Sequence, residues 1–593
     1  MKNNLSEPET FKVTDLLTQY KKNVSDGKIQ FLENNSNKEI IVHLDKLNKL
    51  FERSENGEEL DWNEAHKVGR KLWQILVSHA LNSIDPNSKG NSKLFKYLED
   101  ASKFEDLLYG LEDYYRDHTL HSLWVYFLGD NLLRTDLEHI YEQPNWYVFN
   151  DIKRDQTKYQ FKEELVEYSS IKKEMLCVEV NSHKDAIWCI IALCHDLGYS
   201  LAKLNNLNER VQKVLEYFDV SDFRHLGYSL NIEHQYHMSQ FLELMAMDVR
   251  IVPSEDYAYE PLNSKKKNLS DDWTEAKKKW AEAKKIKDNA NEYKKKLKDF
   301  LKMPSSQKLE DKVLIKCYRD DSTYWRLSKA LEQKEHGILS AYLIYKILGI
   351  FAESSMRGPA EEWGLDNNEA QKNIIRGDIL FAIAQHEFDF AHLKQLGSFA
   401  DVLIIADELE EFSRLGRQML TRKYTHTAAK TSIRFLNNKK GEKIKHGEKI
   451  DIIMDYYCEH EDRDDFLKFF VRKAERLCSI YSLKPSDEDQ EEEEEEKENY
   501  CIINSIKMTV IWEKSKLEPK EYYWFNFSRM DEPKGKLPDC AHKYKGWQKI
   551  LKKGIHNLKS YDDELKVIVK NEVDDKKEIP LTKWVGELNN LND

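Results

Sequence analysis

The sequence predicts a mainly α protein: a helical N-terminal region, a helical bundle carrying an insertion, and a small C-terminal α+β domain. Three observations point there. Uninterrupted apolar runs such as Ala186-Ile-Trp-Cys-Ile-Ile-Ala-Leu-Cys194 read as buried helices. Other segments repeat apolar residues at spacings of three and four, as amphipathic helices do. Past about residue 426, short stretches alternate apolar and polar residues like strands.

Residues 1–105 combine charged segments of helical spacing with apolar runs such as Trp73-Gln-Ile-Leu-Val-Ser-His-Ala-Leu81. They read as helices packed on the next domain, with His79 structural. Residues 106–425 form that domain, interrupted by an insertion at about 205–325. Within the insertion a lysine-rich stretch places Trp273, Trp280, Tyr293, Leu297 and Phe300 on one stripe, which predicts a long helix over 271–302. Its lysines read as a solvated face beside an apolar seam; contact with nucleic acid is the alternative. His225, His234 and His237 in the same insertion are second-rank ligand candidates. In residues 426–593, strands are expected at Thr431–Phe435, Ile450–Tyr457, Ile502–Trp512 and Tyr522–Phe527, with a helix at 464–481 between the pairs. The acid run Glu491–Glu496 predicts a solvated loop over 487–498. This domain suits a sensor, an interaction module or an oligomerisation module.

At 593 residues the chain has room for several domains. A net charge of −13 argues against a generic nucleic-acid coat. Eight cysteines occur singly, never as Cys-x-x-Cys, which predicts reduced thiols in a cytoplasmic protein. The opening Met1-Lys-Asn-Asn-Leu-Ser is polar and does not read as a signal peptide. No apolar stretch is expected to reach the length of a membrane span, so no membrane partner is expected. No Gly-rich phosphate loop occurs.

The chemistry concentrates where ionisable residues end apolar runs. His195 and Asp196 close the run quoted above, and a carboxylate there is costly to bury without compensation. A divalent cation compensates well, because it accepts an imidazole nitrogen and a carboxylate oxygen together. Companions exist along the chain. His118 and His121, three apart, share one helix face beside Leu120, Trp124, Phe127 and Leu128. His386 ends the run Ile379-Leu-Phe-Ala-Ile-Ala-Gln, Asp407 ends Ala400-Asp-Val-Leu-Ile-Ile-Ala, and His336 begins a hydrophobic helix. Each alone is ordinary: a core histidine is usually hydrogen-bonded, and an aspartate often caps a helix or joins an ion pair. Their recurrence in one local setting is what points to a metal.

The order His121, then His195-Asp196, then Asp407 resembles the HD superfamily of metal-dependent phosphohydrolases. Arg116 ahead of His121-Ser122 looks like that family's first-histidine helix, Cys194-His-Asp-Leu-Gly198 its namesake motif, and Leu403–Arg414 its final aspartate helix. The resemblance spans roughly residues 106–425 and implies a metal bound by His121, His195, Asp196 and Asp407. It implies one or two divalent ions, drawn from Mn, Mg, Fe, Ni, Co or Zn. Binuclear members such as the HD-GYP phosphodiesterases add histidines in the order that His336 and His386 occupy here. Their glycine-tyrosine-proline segment is absent, since Gly198-Tyr199 is followed by Ser200.

A hydrolase of nucleotide phosphate esters or anhydrides is therefore expected, acting through metal-activated water. Asp196 would hold the metal most tightly and bridge two ions if two bind. His118 would support the site or protonate the leaving group; otherwise it is a partly exposed helix histidine. Phosphate contacts are expected from Lys203, two helical turns past Asp196, from Arg116, and from Arg414 and Arg417, two and three turns past Asp407. The competing readings are an HD nuclease for single-stranded DNA or RNA, a di-iron HD oxygenase, and a non-catalytic scaffold. A homo-oligomer or a protein partner could form through the insertion helix or the C-terminal domain.

Overall fold

The computed structural model describes residues 11–254, 290–352, 365–459 and 500–528 with internal gaps. It adds single positions within 278–281 and 473–480, and strands at 566–571 and 576–580. Helices dominate. The N-terminal region consists of α1 (Val13–Ser25), α2 (Asn34–Glu55), α3 (Trp62–Ile84) and α4 (Asn91–Leu108). A short strand, β1 (Tyr114–Arg116), then leads into the bundle. The bundle helices are α5 (His118–Arg134), α6 (Glu163–Asn181), α7 (Lys184–Cys194), α8 (His336–Ile347), α9 (Asn367–Gln385) and α10 (Phe399–Leu409).

The centre is α7. Every residue from Lys184 to Cys194 is buried, as a helix apolar on all sides requires. It packs on α3, α5 and α9. Indole groups fix two of these crossings: Trp73 Nε1 donates to Leu193 O at 2.8 Å, and Trp188 Nε1 donates to Tyr126 O at 3.2 Å. A Cβ on Gly129 would lie 1.9 Å from the Trp188 ring, so α5 needs glycine there. Truncating a buried tryptophan of this kind costs about 3–5 kcal/mol. At the far end of α5, Arg134 joins Asp130 and Asp185 at 2.8 Å each and pins the start of α7.

One expectation is corrected here. The segment Lys184–Phe218 contains an 18-residue window that passes for a membrane span by length and composition, with a mean hydropathy of 1.3. Of that window 67% is buried inside the protein, because α7 fills the middle of the bundle.

The sequence reading placed no strands between β1 and the C-terminal domain, yet β2 (Val148–Asn150), β3 (Met247–Pro253) and β4 (Val313–Arg319) make a three-stranded sheet. In β3, Met247, Val249 and Ile251 are buried while Asp248 and Arg250 are partly exposed, the two-residue period of a half-covered strand. Of the expected long helix, Ala290–Leu301 is described, with Lys278, Lys279 and Ala281 also helical. Tyr293, Leu297 and Phe300 are buried against α6, and Lys298 pairs with Glu179 at 3.3 Å. This part of the apolar seam is thus used for packing, while Trp273 and Trp280 lie outside the described residues. His237 is exposed; His225 and His234 lie outside the described residues.

The C-terminal region builds a larger sheet. Its strands are β5 (Gln395–Leu396), β7 (Lys430–Asn437), β8 (Lys449–Glu459), β9 (Cys501–Glu513), β10 (Glu521–Ser528), β11 (Lys566–Asn571) and β12 (Lys576–Pro580), while β6 (Arg414–Gly416) pairs elsewhere, with β1. Their order is β12-β11-β10-β9-β8-β7, with β5 added to β9. The four expected strands are β7 to β10; β11 and β12 are additional. Among the described strands of this sheet, only β8 and β9 run parallel. A parallel pair needs a crossover, and Lys473, Arg476, Leu477 and Ile480 between them are helical. The rest of the expected 464–481 helix and the 487–498 acidic loop lie outside the described residues.

Candidate metal centre

Five chain segments deliver six side chains to one place, and every segment does so at a helix end. His121 lies in the first turn of α5, whose N-terminus is capped by Asp117 accepting from Leu120 N at 2.8 Å. His195 caps the C-terminus of α7, and Asp196 follows it. His336 is the first residue of α8. His386 caps the C-terminus of α9. Asp407 lies in the last turn of α10, whose start is fixed by a capping box between Ser398 and Asp401.

The six fall into two sets that share Asp196. In the first, His121 Nε2 lies 3.0 Å from Asp407 Oδ1, 3.3 Å from His195 Nε2 and 3.4 Å from Asp196 Oδ2. In the second, His336 Nε2 lies 3.0 Å from both His386 Nε2 and Asp196 Oδ1, and His386 Nε2 lies 3.6 Å from the same oxygen. One oxygen of Asp196 faces each set. Ligand atoms held about 2.1 Å from one cation stand roughly 3.0 to 3.4 Å apart at octahedral or tetrahedral angles. The observed separations fall close to those edges; His121, His195 and Asp407, and likewise His195, Asp196 and His386, hold ligand atoms within 4.8 Å of one another and could hold an ion.

Hydrogen bonding decides which nitrogen each imidazole offers. His195 Nδ1 donates to Ala192 O at 2.8 Å and His386 Nδ1 to Ile383 O at 2.7 Å, using carbonyls that helix C-termini leave without partners. His121 Nδ1 meets Glu410 Oε2 at 2.6 Å, and His336 Nδ1 is hydrogen-bonded to Glu387. With all four Nδ1 protons committed, a neutral ring presents only a lone pair at Nε2. Two such lone pairs 3.0 Å or 3.3 Å apart repel unless a positive charge lies between them. The donor set therefore fits divalent cations, and the carboxylate–imidazole pairs are the usual supports of metal-binding histidine.

The electrostatics agree. Burial alone would raise the Asp196 carboxyl, but His195, His336 and His386 hold it well below the usual carboxylate range. Burial disfavours charged His336, yet Glu387 and Asp196 outweigh it and push its pKa up to about 10. A proton thus takes the cation's place at that ring in the metal-free protein, and metal binding would release it. Glu387 is likewise desolvated, but His336 holds it at about 2.

All six expected ligands, His121, His195, Asp196, His336, His386 and Asp407, come together. Of the expected supporting residues, His118 is buried at the edge of the site, its ring centre 3.9 Å from that of Tyr199 and tilted to it by 38°, and both His118 and Asp196 line one pocket. Lys203 does not lie on a helix continuing from Asp196. It joins two separate helices, Tyr199–Ala202 and Leu204–Leu215, and its ammonium sits 4.6 Å from the Tyr199 ring centre. Arg414 is also corrected: α10 stops at Leu409, because Glu410 leaves the helical conformation to reach His121 and Phe412 N. Arg414 instead belongs to β6, opposite Arg116 in β1, so the backbone places both arginines just ahead of α5. Arg417 lies outside the described residues.

Sequence reasoning missed Glu387, Glu410 and Tyr199. The first two stand beside or near a named ligand, as His386-Glu387 and Asp407-Glu-Leu-Glu410, and an acid in that position was a usable signal. Tyr199, between His118 and His336, had no such signal beyond its place after Gly198. No protein-family model, curated protein or solved structure matches this chain.

Proposed function

We propose that this protein is an HD-type phosphohydrolase that binds two divalent cations and hydrolyses a phosphate ester or anhydride, with a nucleotide as the substrate class. The observation that carries the reading is the Asp196 carboxylate, each oxygen turned to its own set of Nε2 atoms. Bound divalent ions lower the pKa of coordinated water and polarise a phosphoryl oxygen. The chain's own residues would then position and balance charge, which is most of what phosphoryl transfer asks of a protein. Glu387 and Glu410 keep His336 and His121 in the tautomer that presents Nε2. His118, against Tyr199 beside the pocket that reaches Asp196, would hand a proton to a leaving group. The ligand order along the chain and its resemblance to the HD pattern support nucleotide phosphates as the target.

The test combines elemental analysis with turnover of a nucleotide panel and of labelled single strands in Mn²⁺, Mg²⁺ or Fe²⁺. Asp196→Ala should retain the helical circular dichroism spectrum and lose both metal and turnover. Activity surviving in a folded Asp196→Ala protein would remove the mechanism. A second reading, a di-iron oxygenase, is favoured by the four imidazoles around two adjacent ion positions. Dioxygen consumption by the iron-loaded protein without phosphate release would select it.

A further inference from the structure

The C-terminal region does more than sit beside the bundle. Between His386 and Asp407 the chain adds β5 to the C-terminal sheet, with Leu396 opposite Cys501, and Leu393 N donates to Ile480 O at 2.8 Å. From the crossover that joins β8 to β9, two cations reach back. Arg476 Nη2 donates to the backbone oxygen of His386 at 2.7 Å, while its Nε meets Glu408 Oε1 at 3.1 Å. Lys473, buried, lies 3.0 Å from Glu408 and 2.9 Å from Glu411. The hydroxyl of Tyr456 in β8 donates to Glu408 O at 2.9 Å. Glu408 is the residue after Asp407, so one guanidinium touches the chain next to a ligand of the first set and at a ligand of the second.

The charge pattern explains why such cations are needed. Glu408, Glu410 and Glu411 are all buried beside Asp407, and Glu387 lies next to His386 within the electrostatic reach of Arg476. Acids crowded in a low-dielectric site repel one another unless cations stand among them. Lys473 and Arg476 are those cations, and both come from the C-terminal domain.

We propose that Arg476 is a positioning residue for both ion sites, spanning His386 and Glu408, so that docking of the C-terminal domain sets how tightly the centre holds metal. This rests on the two-cation reading above. The domain thereby becomes the handle through which anything that shifts the sheet would govern the site.

The experiment measures Mn²⁺ binding to the full chain by chelator competition and elemental analysis, for wild type, Arg476→Ala, Arg476→Lys and Arg434→Ala. Arg434 pairs with Asp455 at 3.0 Å within the same sheet and serves as the control for general damage to the domain. Arg476→Ala should weaken Mn²⁺ binding by about 10- to 100-fold, the range for losing a group that orients a ligand. Arg476→Lys should fall between, since one ammonium does not reproduce the two-sided fork of a guanidinium. Arg434→Ala should bind as wild type does. If Arg476→Ala does not fold, the lysine variant carries the test. Unchanged affinity in the folded Arg476 variants, or an equal loss in Arg434→Ala, overturns the proposal while leaving the metal centre standing. A wild-type protein that binds no divalent metal overturns both.

Discussion

Glu410→Gln is the sharpest perturbation of the centre, because it changes one atom type and almost no volume. Glu410 is fully buried and both its oxygens are in use: Oε1 accepts from Phe412 N at 2.8 Å and Oε2 from His121 Nδ1 at 2.6 Å. Glutamine offers one acceptor and one donor, so one of these two N–H groups must meet an amide NH₂. If the NH₂ faces His121, it can hydrogen-bond only to an unprotonated Nδ1, which moves the ring proton to Nε2 and blocks the metal-binding lone pair. If it faces Phe412, two donors oppose each other in a buried place, which costs about 1–3 kcal/mol. Losing the support of a metal-binding histidine typically weakens affinity about 10- to 100-fold, or about 1.4 to 2.7 kcal/mol. Chelator competition with Mn²⁺ should show that loss for the first ion. Ring-nitrogen NMR of the metal-free protein should show His121 changing tautomer or Glu410→Gln losing stability. A variant with wild-type metal affinity, tautomer and melting temperature would refute the role assigned to Glu410.

Two further changes test other parts of the structure. Gly337→Ala would place a Cβ 2.9 Å from both Ile383 O and Ala384 O and 3.1 Å from the His386 ring. It should separate α8 from α9, cost roughly 1–3 kcal/mol in melting experiments, and weaken the second ion more than the first. Asp378 on α9 borders an apolar cavity with Leu244, Met247 and Phe381; its Oδ2 has no hydrogen-bond partner. Burial and then the nearby Asp401 push its pKa from 3.8 to about 7. The folded state therefore keeps a proton that the unfolded chain releases above pH 4. Stability from this group is full below that pH and is lost as pH rises through about 7, by up to roughly 4 kcal/mol. Asp378→Asn should flatten that slope and melt above wild type at pH 8; an unchanged pH profile would contradict the assignment.

The bundle and its candidate ligands were legible because the signal was physical: imidazoles and carboxylates ending apolar runs. His195 and His386 share that setting for a reason the sequence does not spell out, namely that a ring at a helix C-terminus bonds the carbonyl three residues back. The strands β7 to β10 were equally readable from their alternation. What was hidden depended on distance in sequence. Glu410 is 289 residues from the ring it supports, and Arg476 is 90 residues from the carbonyl it holds. The helix extrapolated through Arg414 failed because a tertiary bond at Glu410 outweighed local propensity. Strand β2 has only three residues, while β3 and β4, seven residues each, lie in an insertion whose lysine-rich helical stripe dominated the reading.

Because α7 is covered on every side, it has no solvent-facing surface on which to form early and wait. Its peptide amides should exchange with deuterium only when the whole bundle opens, at the slow limit set by global unfolding. His195 and Asp196 ride on the end of that helix. A cation that grips them would bind only the assembled bundle, so loading the site should slow that exchange further.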